Sequence, residues 1–331
     1  MRLLVTGGMG FIGSNFIRYI LTQRRDVEVV NLDCLSMGSN RANLADLAEC
    51  ERYKFIRGDI TDSRLLGEIL SGVDVVVNIA AETHVDRSIA DPVPFFRSNC
   101  LGVFTLLEAA RRLHVKVLQV STDEVYGDIV EGSFREEDRL RPSSPYSATK
   151  ACGDMLALAY HRTYGLDLTV VRCTNNYGPY QFPEKLIPKT IIRASKGLTI
   201  PVYGTGQNVR DWIYVIDFCD ALEKLLDCGK PGEVYNVSSG VELQNIEVVK
   251  AILKVMGMPE GLITFVEDRP GHDVRYSLDS SKIRRELGWE PKHRFEEALE
   301  ATVRWYSANK QWWDPLVNDE VLGITPWKHE H

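Results

Sequence analysis

Residues 2–13 read RLLVTGGMGFIG, a short apolar strand pattern that runs directly into a glycine-rich turn. The turn satisfies the spacing G-x-G-x-x-G from Gly8 and Gly-x-x-Gly-x-x-Gly from Gly7. Glycines at this spacing allow a tight turn, close approach of the backbone to a pyrophosphate, and close packing of the following helix. That helix then presents free N–H groups to the phosphates. Because the motif stands in the strand–turn–helix context that it requires, it predicts a dinucleotide site formed by Gly7, Gly10, Phe11, Ile12 and Gly13.

The first half of the chain alternates apolar strand patterns with helical patterns. Strands are predicted at residues 2–6, 27–32, 53–57, 73–79, 115–120 and 168–172, and helices at 12–24, 63–70, 94–113 and 146–164. Continuous runs of Val, Leu and Ile indicate strands buried on both faces, which is typical of a parallel sheet covered by helices. The predicted fold is therefore α/β, with a doubly wound parallel sheet of the Rossmann type.

The pattern changes after about residue 175. Loops rich in Pro, Gly and Asn occupy residues 175–184, 203–211, 238–240 and 267–273, between short helices and strands. Loops on a rigid scaffold commonly carry ligand contacts. We therefore expect residues 1–175 to form a cofactor-binding Rossmann domain with the catalytic residues. Residues 176–331 are expected to form mainly a smaller C-terminal substrate-binding lobe, with the chain free to cross between the two.

The composition of the chain argues against nucleic-acid-binding, membrane-spanning and secreted proteins. The net charge of −7 and the pI of about 5.6 disfavour a nucleic-acid-binding protein, which is usually basic. The seven cysteines are odd in number and form no Cys-x-x-Cys pair, so we interpret them as buried small hydrophobes in a reducing compartment. No run of about 18 apolar residues predicts a membrane span, and the first apolar run is too short for a signal peptide. We expect a cytoplasmic protein without a metal site.

A carboxylate is expected to select the cofactor. Asp33 ends the second strand pattern, twenty residues after Gly13. A carboxylate there accepts a hydrogen bond from the ribose 2′-OH and repels a 2′-phosphate, so NAD is favoured over NADP. Arg41 lies nearby in the sequence and would weaken this preference. Two further pairs follow the third and fourth strand patterns and are predicted to line the cofactor site, with simple turn packing as the alternative: Asp59 with Ile60, and Ala80 with Ala81.

A tyrosine and a lysine indicate redox chemistry at a hydroxyl group. Tyr146 and Lys150 are four residues apart in a helical pattern and so share one face. An ammonium group beside a phenol lowers the phenol pKa from about 10 toward neutrality. Tyr146 could then take the proton of a hydroxyl while hydride leaves the same carbon, and Thr122 is expected to hydrogen-bond that hydroxyl.

Two adjacent carboxylates, Asp123 and Glu124, end the fifth strand pattern. Hydride transfer at one carbon needs no such pair, whereas removal of water needs an acid and a base. Neighbouring carboxylates in one pocket can differ in pKa, so that one is protonated and the other ionised. The alternative is a solvated pair of charges at a strand end. Beside Tyr146 and Lys150, the pair favours dehydration.

Longer motifs carry a resemblance to a known family. Besides the glycine-rich turn, they are AAETHVDRS at 80–88, STDEVYG at 121–127, SPYSATK at 144–150, RCTNNYGPYQ at 172–181, PEKLIP at 183–188, NVRDW at 208–212 and DRPGHDVRY at 268–276. Over residues 1 to about 315 the chain resembles the extended short-chain dehydrogenase/reductases that act on nucleotide sugars, and most specifically their 4,6-dehydratases. The resemblance implies NAD as cofactor and a nucleotide-linked glucose as substrate, with dTDP-glucose expected and UDP-glucose left open.

The resemblance also implies a three-step reaction. Tyr146, with Thr122 and Lys150, would remove the C4 hydroxyl proton as hydride passes to NAD. The resulting ketone acidifies the C5 proton, which Glu124 would abstract while Asp123 protonates the departing C6 hydroxyl. Hydride would then return to C6, which gives the 4-keto-6-deoxy sugar nucleotide without net consumption of NAD.

Substrate contacts are implied in the same way. Thr83, where many relatives have Ser, would meet the sugar. The diphosphate would meet Asn176, Arg210, Asn245 and His272, although Gln244 departs from the more usual Thr at its position. The base and its sugar would meet Glu184, Lys185, Leu186, Pro201 and Tyr203, with Tyr276 as a further candidate. Each of these residues could instead serve as a cap, turn or packing residue.

Two other functions stay open. A nucleotide-sugar 4-epimerase or decarboxylase would use the same scaffold, but such relatives usually lack the acid beside the Glu, so Asp123 separates them from a dehydratase. A redox-sensing NAD-binding regulator would need no such set of four catalytic residues.

An oligomeric state is implied as well. Members of the family commonly dimerise through two long helices per subunit, and residues 94–113 and 146–164 match those helices. We therefore expect a homodimer. Ordinary packing within one chain is the alternative for both helices.

Overall fold

Residues 1–328, the part of the chain that this computed structural model describes, contain twelve strands and twelve α-helices. The strands are β1 (Arg2–Thr6), β2 (Glu28–Asp33), β3 (Tyr53–Arg57), β4 (Val75–Asn78), β5 (Lys116–Thr122), β6 (Leu168–Cys173), β7 (Asn175–Tyr177), β8 (Ile200–Tyr203), β9 (Val209–Tyr214), β10 (Val234–Val237), β11 (Glu242–Gln244) and β12 (Ile263–Val266). The helices are α1 (Phe11–Gln23), α2 (Ser63–Leu70), α3 (Val85–Ala90), α4 (Val93–Phe96), α5 (Val103–Leu113), α6 (Pro145–Tyr164), α7 (Leu186–Ser195), α8 (Val215–Cys228), α9 (Asn245–Met256), α10 (Ser281–Leu287), α11 (Phe295–Ala308) and α12 (Lys310–Trp313). None of these helices is long and apolar enough to cross a membrane.

Seven parallel strands form the central sheet in the order β10-β6-β5-β4-β1-β2-β3. Helices α1 and α8 cover one face of the sheet, and helices α2, α5 and α6 cover the other. Burial on both faces explains the continuous apolar runs in the strands. The predicted doubly wound parallel sheet is confirmed. Because the strand order changes direction between β1 and β4, the loops at their carboxyl ends diverge and leave a crevice for a ligand.

Six of the seven strands agree with the predicted strands to within two residues. The predicted helical segment over residues 94–113 is confirmed as a continuous helical stretch, but it is not α-helical throughout. A π-helical segment, Arg97–Gly102, separates α4 from α5. This wider turn carries Asn99, whose side-chain amide accepts from the Glu82 N–H and donates to the Glu82 carbonyl, both at 3.0 Å. The π-helical segment therefore braces the loop that follows β4.

The second half of the chain contributes to both parts of the molecule. Strand β10 lies at one edge of the central sheet, next to β6. The remaining strands form a smaller lobe with a three-stranded sheet, β11-β9-β7, and a two-stranded sheet, β12-β8. Helices α7, α9 and α11 pack on these sheets around their own apolar cores. The chain thus crosses between the parts, and the assignment of ligands to residues 1–175 and 176–331 stays a prediction.

The start of α6 is set by local sequence. Ser144 caps the helix, since its hydroxyl accepts from the Ser147 N–H and the Ser147 hydroxyl accepts from the Ser144 N–H. Pro145 occupies the first helical position, where its missing N–H costs nothing. A cap of this kind stabilises a helix by about 1 kcal/mol. It fixes the first turn of α6, which carries Tyr146.

Candidate active site

A cavity lies at the carboxyl ends of the sheet strands, in the crevice where the strand order changes direction. All predicted cofactor-binding and catalytic residues lie in its wall: Gly7, Gly10, Phe11, Ile12, Gly13, Asp33, Asp59, Ile60, Ala80, Ala81, Thr122, Asp123, Glu124, Tyr146 and Lys150. Within residues 1–328, no cluster of three or more His, Cys, Asp or Glu side chains could hold a metal ion. The structure therefore brings together in one cavity residues that end or follow five different strands, β1 to β5, and two residues of α6.

The glycine-rich turn is packed tightly on one side and open on the other. Gly7 has a φ of +70°, and a Cβ at this position would lie 2.7 Å from the Cα of Ala80. A Cβ at Gly13 would overlap the Gly7 carbonyl oxygen and lie 2.7 Å from the Cα of Gly8. A Cβ at Gly10 would meet only the Gly7 carbonyl oxygen, at 3.2 Å, and no side chain caps α1. The turn thus leaves uncapped N–H groups at the cavity wall, a site suited to an anion.

Asp33 is buried at the end of β2 and lies in the cavity wall. Its carboxylate is held by three donors, the N–H groups of Met9 (2.9 Å) and Leu35 (2.7 Å) and the hydroxyl of Ser39 (3.0 Å). Burial raises the pKa of Asp33, and the three hydrogen bonds oppose that shift. Arg41 is not part of the cavity wall, and its guanidinium lies over the Phe55 ring, 5.4 Å from the centroid. Its position does not support the expectation that Arg41 weakens the selection of NAD.

The two predicted pairs after β3 and β4 have local roles besides lining the cavity. Asp59 Oδ1 accepts from the N–H and the hydroxyl of Thr61, both at 2.9 Å, and Asp59 Oδ2 lies 3.6 Å from Arg97. The Ala80 N–H donates to the Thr6 hydroxyl at 3.2 Å. These contacts would explain the residues by turn formation alone. The predicted contacts of both pairs with the cofactor therefore stay predictions.

Tyr146 and Lys150 lie on one face of α6, and both reach the cavity. Lys150 Nζ donates to the Val120 carbonyl at 2.8 Å, which fixes the ammonium group beside the end of β5. The Thr122 hydroxyl donates to Asp123 Oδ1 at 3.1 Å and lies in the same cavity wall as Tyr146. The end of β5 and the first turns of α6 are therefore joined by these polar contacts.

The pKa of Tyr146 differs from the sequence-based expectation. Burial raises it well above its usual value of 10.0, the Glu124 carboxylate raises it further, and the Thr122 hydroxyl opposes the shift. Burial also lowers the pKa of the Lys150 ammonium. The prediction that Lys150 brings the phenol toward neutrality is therefore wrong for the protein by itself. A second positive charge beside the phenol is needed to offset burial and the carboxylate.

The two carboxylates differ in their surroundings. Asp123 is 3% exposed, and its Oδ2 has no hydrogen-bond partner among residues 1–328. Burial, and then the charge of Glu124, raise the pKa of Asp123 well above 3.8. Burial also raises the pKa of Glu124, but the positive charges of Arg269, Arg210 and Lys185 oppose that shift. Asp123 therefore holds a proton more readily than Glu124. A protonated Asp123 can act as an acid, and an ionised Glu124 can act as a base.

Four predicted substrate residues line the same cavity: Thr83, Asn176, Glu184 and Lys185. Lys185 Nζ donates to the Thr83 carbonyl at 2.9 Å. The amide nitrogen of Asn176 donates to the Thr174 carbonyl at 3.1 Å, while its Oδ1 has no hydrogen-bond partner in the described chain. Asn176 therefore points a buried acceptor without a partner at this part of the site, and a ligand donor could satisfy it.

Arg210 and Tyr276 form a second group, on β9 and the segment beside it. Arg210 Nη2 donates to the Asp273 carbonyl at 3.0 Å, and its guanidinium lies over the Tyr276 ring, 4.3 Å from the centroid. The Tyr276 hydroxyl donates to the Asp273 carboxylate. Neither residue lies in the cavity wall, but the charge of Arg210 acts on Glu124. Arg210 thus has a fixed orientation, and its charge reaches both Asp123 and Glu124.

His272 and Tyr203 form a third group. The His272 Nδ1 lies 2.6 Å from Asp268 Oδ1, and burial followed by the charge of Arg269 lowers the pKa of His272 to about 4. The rings of His272 and Tyr203 pack edge to face, with centroids 6.4 Å apart. His272 is therefore a neutral imidazole at neutral pH.

Seven of the eleven predicted substrate residues lie outside the cavity wall: the four of the second and third groups, and Leu186, Pro201 and Asn245. Leu186 packs against both apolar cores of the smaller lobe. Pro201 is buried on β8, where it faces Thr264 of β12. Asn245 begins α9, and its N–H donates to the Asn208 carbonyl at 3.0 Å. Each has a packing or capping position in the structure, and their substrate contacts stay predictions.

Sequence reasoning missed several charged residues that the structure brings to the site. Glu82 lines the cavity, and Arg87 lies 3.4 Å from Glu82 and 3.3 Å from Glu184. Asp86 and Arg269 form a buried pair at 2.9 Å. Glu82, Asp86 and Arg87 lie within residues 80–88, directly after a fully buried strand. Three charged residues in so short a stretch indicate a polar site rather than a core. No feature of the sequence marks Arg269 apart from other loop arginines.

Comparisons with known proteins fit this geometry. The family model described as GDP-mannose 4,6 dehydratase matches residues 4–302. A dTDP-glucose 4,6-dehydratase of Streptomyces niveus is 50% identical over 329 residues, which cover 98% of this chain and 98% of that protein. The chain belongs to the dTDP-glucose 4,6-dehydratase family. Within that family, the crystal structure of DesIV from Streptomyces venezuelae with NAD and TYD bound has a TM-score of 0.94 and 50% identity, and the match covers 96% of this chain and 100% of DesIV.

The dTDP-glucose 4,6-dehydratase family shares its fold with enzymes of other activity. The UDP-glucose 4-epimerase of Thermus thermophilus in complex with NAD has a TM-score of 0.85 and 33% identity, over 93% of this chain and 100% of the epimerase. Because a fold alone does not determine a reaction, the side chains in the cavity decide which of these activities the protein has.

Proposed function

We propose that the protein is an NAD-dependent dTDP-glucose 4,6-dehydratase, a hydro-lyase that forms dTDP-4-keto-6-deoxyglucose. The buried pair Asp123–Glu124 beside Tyr146 carries the proposal. An acid and a base are needed where water leaves, and neither is needed for hydride transfer alone. Membership of the family and 50% identity with the Streptomyces niveus enzyme support dTDP-glucose as the substrate.

The residues present fit NAD. When bound, NAD accepts a hydride and later returns it, and its oxidised ring brings a positive charge. The uncapped N–H groups at the start of α1 would hold the pyrophosphate. The oriented carboxylate of Asp33 would accept from the ribose hydroxyls and disfavour a 2′-phosphate. Ala80 and Ala81 leave room for close approach, and Asp59 with Ile60 would meet the adenine.

Tyr146 would take the proton of the C4 hydroxyl, while Thr122 hydrogen-bonds the same oxygen. Lys150, which the Val120 carbonyl holds in place, keeps one positive charge on this face of α6. Burial and Glu124 raise the pKa of the phenol in the protein alone, so a second positive charge at the site favours the phenolate. Loss of the hydroxyl proton, together with departure of the hydride from C4 to the bound cofactor, would convert that carbon into a ketone.

Glu124 would abstract the C5 proton once the C4 ketone has acidified it. Three cations oppose the effect of burial on Glu124 and keep it the more readily ionised of the pair. Asp123, whose pKa burial raises well above its usual value, would give its proton to the departing C6 hydroxyl. Water then leaves. Glu124 would return its proton to C5 as hydride returns to C6, and Asp123 would regain one proton, equivalent to the one that Tyr146 took from the C4 hydroxyl.

The remaining contacts are assigned by position and family membership. Thr83 would meet the sugar, and Glu184, Lys185, Leu186, Pro201 and Tyr203 would surround the base and its deoxyribose. The diphosphate would meet Asn176, Arg210, Asn245 and His272, with Tyr276 beneath the Arg210 guanidinium. An oriented guanidinium is a strong partner for a diphosphate, because it binds the oxygens with two charge-assisted hydrogen bonds.

The protein would act in the cytoplasm as a homodimer. Apolar side chains are exposed along the two helical segments expected to pair: Val93 (70%), Phe96 (62%), Leu101 (45%), Phe104 (44%) and Met155 (58%). Contiguous exposed apolar patches of this kind usually mark an interface.

Phe96→Glu should therefore yield a monomer in analytical ultracentrifugation. The matched control Phe265→Glu changes an equally exposed phenylalanine of β12 and should leave the dimer intact; a monomeric wild-type protein would contradict the proposal.

Isotope transfer tests the proposed reaction. The NAD-loaded protein should convert dTDP-glucose deuterated at C4 into a 4-keto-6-deoxy product that carries the deuterium at C6. NMR of the product reports both positions. UDP-glucose assayed beside dTDP-glucose tests the choice of nucleotide. Inversion at C4 alone, or no reaction with any sugar nucleotide, would contradict the proposal.

Glu124→Gln tests the order of steps. The variant should still oxidise C4, seen as transient NADH absorbance, and should lose elimination by about 10²-fold to 10⁴-fold because the base is gone. Glu131→Gln, an exposed glutamate in the loop after the same strand, is the control and should react as the wild type does. Elimination at the wild-type rate in Glu124→Gln would show that another group is the base.

A further inference from the structure

Asp86 lies where α3 meets the smaller lobe, far below the surface. Its side chain is 3% exposed. Both carboxylate oxygens are used, since Oδ1 accepts from Arg269 Nη1 at 2.9 Å and Oδ2 accepts from the Tyr203 hydroxyl at 3.0 Å. The donors stand 183 and 117 residues away in the sequence, on two different segments of the smaller lobe. Asp86 therefore holds two substrate-lobe side chains at one point.

The other side of α3 contacts the catalytic helix. The Ser88 hydroxyl accepts from the Tyr146 N–H at 3.2 Å and donates to the Val85 carbonyl at 2.7 Å. The same helix carries Arg87, which lies 3.3 Å from Glu184 in the cavity wall. One short helix thus connects the start of α6 with the side chains expected to meet the nucleotide.

Arg269 keeps donors for a ligand. Its Nε is buried and has no hydrogen-bond partner among residues 1–328. Its charge opposes the rise in the pKa of Glu124, so the guanidinium is within electrostatic range of that carboxylate. A guanidinium that is anchored at one Nη keeps a defined orientation, and its remaining N–H groups can then bind an anion in a planar, two-point arrangement.

We infer that Asp86 is a positioning residue for nucleotide binding, because its carboxylate orients Arg269 and Tyr203 so that the free donors of Arg269 meet the substrate diphosphate. The inference rests on the proposed function, since it takes a nucleotide diphosphate as the ligand. Asp86 itself touches neither substrate nor cofactor. It acts through the two side chains that it holds.

Asp86→Asn removes the charge and retains the size of the side chain. The KM for dTDP-glucose and the Kd for thymidine diphosphate should both rise about tenfold or more, as expected when a charge-assisted hydrogen bond is lost. The kcat at saturating substrate should stay within about threefold of the wild-type value, because the catalytic groups are untouched. The control Asp91→Asn makes the same change at the exposed end of α3 and should alter neither constant.

Two further variants keep the inference testable if Asp86→Asn folds poorly. Tyr203→Phe removes one donor and should raise the Kd for thymidine diphosphate about twofold to fivefold. Asp86→Asn introduced into Arg269→Ala should add less than about a twofold change, since residues that act through one group are not additive.

Calorimetric titration with thymidine diphosphate needs no turnover and so separates the possible failures. A wild-type protein that neither binds thymidine diphosphate nor turns over dTDP-glucose would overturn the proposed function together with this inference. Wild-type binding combined with unchanged affinity in Asp86→Asn, even with a lower melting temperature, would show a purely structural ion pair and overturn the inference alone. Full additivity of Asp86→Asn and Arg269→Ala would overturn it as well.

Discussion

The cofactor side of the cavity and the substrate side are built in different ways. On the cofactor side, the glycines of residues 7–13 form the wall with backbone atoms, and Asp33 is oriented by donors that lie close to it in the fold. On the substrate side, side chains hold one another across long stretches of sequence: Arg210 with Asp273 over 63 residues, and Arg269 with Asp86 over 183. Changes on the cofactor side should therefore act through steric fit, and changes on the substrate side through charge and orientation.

The largest effect is expected on the cofactor side, from a single methyl group. In Gly13→Ala the new Cβ would overlap the Gly7 carbonyl oxygen and lie 2.7 Å from the Gly8 Cα. Both are backbone atoms of the turn, so neither can move without opening the anion site. The purified variant should contain no NAD and show no turnover, as measured by the absorbance of released cofactor and by the dTDP-glucose assay.

A matched glycine provides the control for that variant. Gly67 lies in the helix α2, and a Cβ there would meet nothing within 4 Å. Gly67→Ala should keep its NAD and gain about 0.5–1 kcal/mol of stability, because alanine loses less conformational entropy in a helix. Retention of NAD by Gly13→Ala would contradict the steric account of the cofactor side.

On the substrate side, the next largest effect is expected when the guanidinium of Arg210 loses its fixed orientation. Arg210 donates to two backbone carbonyls, those of Val209 (2.7 Å) and Asp273 (3.0 Å), and lies over Tyr276. Lysine cannot reproduce this planar fork, so Arg210→Lys should raise the KM for dTDP-glucose about tenfold to a hundredfold. The NAD content should stay unchanged. Arg304→Lys, at an arginine of α11 that is 67% exposed, is the control and should keep the wild-type KM. A loss of NAD in Arg210→Lys would contradict the proposed difference between the two sides.

His272 is expected to make the stability of the folded protein depend on pH. The pKa of His272 in the folded protein is about 4, below its usual value of 6.5, so the unfolded chain binds more protons between these values. The contribution of His272 to stability is therefore present above pH 6.5 and is lost as the pH falls through 4. His272→Gln should reduce the loss of stability on acidification by at most about 3 kcal/mol, measured by urea unfolding at pH 7 and pH 4.5. His114→Asn changes an exposed histidine and should leave the acid slope as it is; an unchanged slope in His272→Gln would contradict the assignment.

The smallest effect is expected at Arg41, which lies near the cofactor side without contributing to it. Its guanidinium packs on Phe55, outside the cavity wall. Arg41→Ala should lose about 0.5–1 kcal/mol of stability with that contact and should leave the ratio of NAD to NADP affinity within about twofold. A marked gain in NAD preference would show that Arg41 does reach the adenosine ribose.

The same contrast explains what the sequence could predict. Spacings of at most twenty residues identify the glycine-rich turn, Asp33 and the pair Tyr146–Lys150. Gly7, Gly10, Gly13 and these three side chains all lie in the cavity wall. The pKa of Tyr146 was mispredicted, because burial and Glu124 act from outside its helix. Arg269 was missed for a similar reason: its partner Asp86 lies 183 residues away, and no local spacing connects them. Long-range side-chain pairs need the folded chain before they can be recognised.

The π-helical segment Arg97–Gly102 has a consequence for how this chain can vary in length. A π-turn contains one more residue than an α-turn, so deleting one residue there would restore a regular helix and rotate α4 by about 100° relative to α5. Phe95, whose ring packs edge-on against Tyr146 with centroids 6.3 Å apart, would then leave that contact. The number of residues in this segment is thus under the same functional constraint as the identity of a catalytic side chain. We expect insertions and deletions to be excluded from the segment itself and tolerated in exposed loops that do not adjoin α4 or α5.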